Sequence, residues 1–185
     1  MFEDGDMKIA GEKPSKEIEN AVYPLSGEEY QRERINGNID KAKKLGQTIA
    51  RVLVDNSKSA ISQEHEEAIK SQKILLLSVT ATTAFESFCP NQVTANTALN
   101  AFFDRLKALD EEIYEDCCDS GAYSFYFLAY KSGNDIERRM GQTFAMVCGH
   151  DGDPIYQELG EALYCWFLGV VKQSITDLQF IGGKI

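Results

Sequence analysis

Residues 162–171 read ALYCWFLGVV, ten positions without a charge in a chain that is otherwise acidic. A bilayer span needs about 20 such residues, so the run reads as a helix packed among other helices and not as a membrane segment. Helical spacing continues on both sides of it: Ile155, Leu159, Leu163, Trp166, Val170, Ile175 and Leu178 fall on one apolar stripe. Asp153 and Pro154 suit its start, the aspartate as cap and the proline at a position that needs no N–H. Being apolar all round between 162 and 171, this segment is expected to be the enclosed central helix. Gly160 and Gly169 offer places where another backbone can approach.

Working back from it, GHDGDP at 149–154 is the sharpest loop signal in the chain. Residues 136–148 form a helix with Ile136, Met140, Phe144 and Val147 on one side. A short helix before it, AYSFYFLAY, carries five aromatic rings between Tyr123 and Tyr130. A helix over 93–118 places Leu99, Phe102, Phe103, Leu106, Leu109 and Ile113 on one face. Another spans 62–88 and ends at Cys89-Pro90, because proline disfavours the helical state of its predecessor. Its SVTATTAF stretch is β-branched and suits a strand, but no other segment offers a partner, so it reads as helix. The first helix follows Ser26, which has capping-box spacing with Glu29. It carries a heptad-like stripe of Ile35, Ile39, Ala42, Gly46, Ile49 and Leu53 at steps of 4, 3, 4, 3 and 4. The expected fold is an all-α, single-domain bundle of five or six mostly antiparallel helices around a buried C-terminal helix. Residues 1–24 are expected to be a flexible or loosely docked arm, 25–181 the bundle, and 182–185 a frayed tail.

The chain has 185 residues, 43% hydrophobic and 26% charged, ordinary values for a globular protein. Its net charge of −10 works against general binding to nucleic acid or to an anionic membrane surface. The charge is segregated. Residues 1–108 carry 14 bases and 16 acids, and residues 109–185 carry 5 bases and 13 acids. Between 32 and 58 there are seven bases against three acids, whereas 110–119 (DEEIYEDCCD) holds six acids and no base. Such runs are ordinarily solvated helix faces. They also suit a meeting of opposite potentials, within the chain or between copies. Ile35, Ile39, Lys41, Lys44, Arg51, Glu112 and Glu115 are the interface candidates on that reading. The five cysteines include no CxxC, and the N-terminal residues lack the pattern of a secretory leader, so reduced thiols in a cytoplasmic protein are expected.

Chemistry-bearing patterns are sparse. No GxGxxG, Walker loop, HExxH or GxSxG occurs. The chain has two histidines. His65 has no ligand one helical turn away, so no metal or cofactor is expected, and no catalytic residue is assigned. His150 and Asp151 lie in the 149–154 loop, where turn formation and capping compete with an acid–base or cation-binding role. The aromatic segment with Arg138 and Arg139 has the elements of a pocket, rings as walls and a guanidinium gripping an anion. Ordinary core is the competing use of those rings. One of the two arginines should point inward. The ligand-binding candidates are therefore Tyr126, Tyr130, Arg138, Arg139, His150 and Asp151. The function expected is that of a non-enzymatic interaction or regulatory module acting as a homo-oligomer. The alternative is a small-molecule binder or enzyme built on residues 123–153.

Overall fold

The computed structural model describes residues 27–57, 66–118 and 121–182. Among these are eight helices and no strand: α1 (Gly27–Ile35), α2 (Asn38–Ser57), α3 (Glu66–Phe88), α4 (Gln92–Leu109), α5 (Glu111–Cys118), α6 (Gly121–Lys131), α7 (Ile136–Val147) and α8 (Pro154–Leu178). The all-helical expectation holds. The arm at 1–24, the Ser26 cap, His65 and the last three residues lie outside the described residues. No described helix is long and apolar enough to cross a membrane.

The helix number exceeds the expected five or six because two predicted helices each break once. Asn36-Gly37 separates α1 from α2. Gly37 sits at φ +80°, which glycine adopts without strain, and the Asn36 side chain accepts from the Asn38 N–H at 3.1 Å. Asp110 separates α4 from α5. Its backbone is extended, its N–H closes α4 on the Leu106 carbonyl, and its carboxylate accepts from Ile113 N–H at 3.3 Å to open α5. Asn91 and Thr94 form a reciprocal capping box at the start of α4.

The central helix is α3, not α8. Residues 74–85 of α3 are buried without interruption. Ile74, Leu77, Ala81, Ala84 and Phe85 join a core with α2, α4, α5 and α8, while Leu75, Leu76 and Val79 join a second core with α6, α7 and α8. A helix with a core on each side must be apolar all round, and α3 achieves it with threonines. The hydroxyls of Thr80, Thr82 and Thr83 bond to the carbonyls of Leu76, Ser78 and Val79 at 2.7–2.9 Å, so their polar atoms need no partner outside the helix. By contrast α8 buries one side only, through Gly160, Tyr164, Phe167 and Val171. Trp166 is 43% exposed and Ile155 74% exposed, which corrects the enclosed C-terminal helix.

Chain neighbours are not always the closest packing neighbours. α2 packs most intimately on α4, and the two run parallel. Glu33, just before α2, reaches Asn91 at the start of α4; Gly46 meets Ala98 and Phe102; Ser57 faces Asp110 across a small cavity. α3 carries the chain back between them. At Gly46 the helices touch backbone to backbone, since an added Cβ would overlap the Ala98 carbonyl oxygen. α7 and α8 form an antiparallel hairpin with the same device: Gly141 lies against the Gln157 carbonyl, and Gly160 against Phe144. Gly169, the other glycine expected to admit a backbone, faces open space. Asp153 caps α8 by accepting from Ile155 N–H at 2.9 Å, with Pro154 at the first position.

Candidate functional site

The residues proposed as a ligand pocket divide between core and surface. Tyr126 is fully buried in the α6–α7–α8 core, its hydroxyl has no hydrogen-bond partner, and burial pushes its pKa well up. Tyr130, one turn further along α6, packs against the same core and shares a 2.6 Å hydrogen bond with Ser87 of α3. Arg138 and Arg139 are both exposed, so neither points inward, and neither forms an ion pair among the described residues. Arg139 lines a shallow groove of about 260 Å³ with Phe125, Leu128, Gln142 and Met146, which includes none of the other candidates. His150 stacks flat on Tyr156, ring centroids 3.7 Å apart and planes 7° apart. Asp151 is exposed in the turn. The rings of the aromatic segment divide between core and surface, because a helix sends Tyr126 inward and Phe125 and Leu128 outward.

The interface candidates are also dispersed. Ile39 is buried, and the stripe it shares with Ala42, Leu45, Ile49 and Leu53 is spent inside the chain. Ile35, at the last turn of α1, is 85% exposed. Lys41 is committed within the chain, donating to the Gln179 carbonyl at 2.8 Å. Lys44 and Arg51 on α2 and Glu112 and Glu115 on α5 are exposed, and no ion pair links the basic helix to the acidic one.

No three His, Cys, Asp or Glu side chains converge among the described residues. Burial pushes the Cys89 thiol up to about 12 and the Cys148 thiol up to about 11, so both are protonated and unreactive at neutral pH. Cys165 on α8 is exposed, and burial, with Glu137 and Glu161 nearby, raises its pKa too.

One feature is concentrated enough to be a site. The outward face of α8 presents Ile155, Leu159, Ala162, Trp166 and Gly169, all exposed, at steps of 4, 3, 4 and 3. These residues lie opposite Gly160, Tyr164, Phe167 and Val171, which hold α8 to the bundle. The helix is therefore apolar on both faces, with only one of them covered. The sequence shows the apolar run but not which arc of it faces out.

No family model matches this chain, and comparison with curated proteins and with solved structures finds no match either.

Proposed function

We propose that the chain is a non-enzymatic interaction module that forms a homodimer by pairing the outer face of α8 with the same face of a second copy. The exposed stripe on α8 is the observation that carries this reading. Large exposed apolar patches on a folded surface mark interaction sites, and aromatic anchors dominate their energetics. The stripe is self-complementary when two copies run antiparallel about Ala162. Leu159 of one copy then meets Trp166 of the other, Ile155 meets Gly169, and Ala162 meets Ala162, so apolar residues meet along the whole stripe. A two-fold interface has this isologous form. The high-pKa thiols of Cys89, Cys148 and Cys165 suit the cytoplasm, where we place the protein.

Trp166 is the single tryptophan and reports directly on its own burial. Light scattering after size exclusion should give twice the 20.7 kDa chain mass. Tryptophan emission should shift to the red on dilution. Trp166→Glu and Leu159→Glu should yield monomers with unchanged helical circular dichroism. Lys44→Glu, on the exposed face of α2, should leave the dimer intact. A chain that stays monomeric at the highest accessible concentration, or a dimer indifferent to Trp166→Glu, refutes the proposal.

A further inference from the structure

Away from α8, a groove of about 450 Å³ runs along the seam of α2 and α4 beneath α1. That is within the size range of small-molecule sites, roughly 300–1,000 Å³. The Gly46 crossing creates it: where two backbones touch, side chains one turn to either side must splay. Lys43 and Gln47 flank it from α2, Asn100, Asp104 and Arg105 from α4, and Tyr30 from α1. Two cations thus face one space in a chain of net charge −10. Neither Lys43 nor Arg105 has an ion-pair partner among the described residues. The Arg105 Nε is buried and donates to nothing. Arg105 as a whole is half-buried and lines the groove, so an anion there finds a guanidinium that no carboxylate among the described residues occupies. Asp104 adds an acceptor beside the two cations, suited to a hydroxyl on the ligand.

We infer that this groove binds a small hydroxylated organic anion, its phosphate or carboxylate held by Arg105 and Lys43 and its hydroxyl by Asp104. The inference is independent of dimer formation through α8. Isothermal titration with glycerol 3-phosphate, malate and sodium sulfate at matched ionic strength tests it. One of the two organic anions should bind with one-to-one stoichiometry, and which of them binds tells phosphate from carboxylate. Sulfate, which lacks the hydroxyl, should bind at least about tenfold more weakly, the scale of one lost charge-assisted hydrogen bond. Arg105→Gln and Lys43→Gln should each weaken the organic anion about tenfold or more, and Asp104→Asn should narrow its advantage over sulfate. Lys43 is exposed, so Lys43→Gln keeps the test open if Arg105→Gln fails to fold. No binding of either organic anion at millimolar concentration, sulfate binding equally well, or binding that survives Lys43→Gln overturns the inference.

Discussion

Gly46, Gly141 and Gly160 decide where helices cross in this molecule, and each does so by lacking one carbon. At Gly46 an added Cβ would overlap the Ala98 carbonyl oxygen and lie 2.7 Å from the Phe102 nitrogen. Those neighbours are backbone, which does not swing aside as a side-chain tip does. Gly46→Ala gains up to about 1 kcal/mol of helix propensity. The overpacking it forces costs typically 1–3 kcal/mol, occasionally more, and wins because the whole of α2 or α4 must move. Gly160→Ala meets Phe144 and the Gly141 Cα and should destabilise in the same way. Gly169 has nothing within 4 Å and sits in the same helix as Gly160, so Gly169→Ala should stabilise by about 0.5–1 kcal/mol. Urea midpoints of the three variants, made in the Trp166→Glu background so that association does not enter, should separate by sign. A stabilising Gly46→Ala would mean that the α2–α4 crossing is not as close as described.

Among the elements, the α1–α2 corner holds a buried carboxylate with an unusual number of donors. Burial alone would raise the Glu33 pKa. Asn38, at 2.6 Å, with Asn36, Arg32 and Asn91, more than offsets that and leaves it below its ordinary value. The unfolded carboxyl titrates near 4.5. The contribution of Glu33 is therefore fully present above pH 4.5 and lost as pH falls through the lower folded value. Glu33→Gln should flatten that acid limb of a stability–pH curve. It should also lower stability at neutral pH, because the new amide can turn only one acceptor oxygen towards donors that now hold two. Unchanged curvature below pH 4.5 would show that other carboxylates govern acid unfolding. Element type was readable throughout the sequence, but element rank was not. Hydropathy favours ALYCWFLGVV over ILLLSVTATTAF as the innermost helix. The threonine hydroxyls of α3 close on their own helix, and that contact makes it the drier of the two. The candidate pocket residues divide for a related reason. Tyr126, Arg139 and His150 are near in sequence, yet helical phase sends them into a core, onto a surface and against Tyr156. The groove at Lys43 and Arg105 depends on a crossing between helices separated by all of α3, and no local pattern encodes that.

Across the whole molecule, one side chain joins the first described helices to the last. Asn38 is fully buried at the start of α2. Its amide donates to the Ile181 carbonyl at 2.9 Å and its oxygen accepts from the Ile181 N–H at 2.9 Å, pairing with the backbone after α8 much as a neighbouring strand would. Lys41 donates to Gln179 beside it. Ile181, the last residue assigned to the bundle, is thus held across 143 positions of sequence. The same Asn38 amide also donates to Glu33, so the clasp and the α1–α2 corner share one residue. Asn38→Ala removes both sets of bonds and leaves a buried carboxylate short of its closest donor, which should cost about 2–3 kcal/mol on the scale of hydrogen bonds to charged groups. Deleting residues 181–185 removes the clasp but keeps Phe180, which packs against the core, and should cost less. The two changes should be non-additive, because each removes the same pair of bonds, with a coupling of roughly 0.5–3 kcal/mol in a double-mutant cycle. Strict additivity would mean that the tail and the corner stabilise the bundle separately. Coupling would mean that the end of α8, the helix proposed to pair with a second copy, is held in place by the first turn of α2.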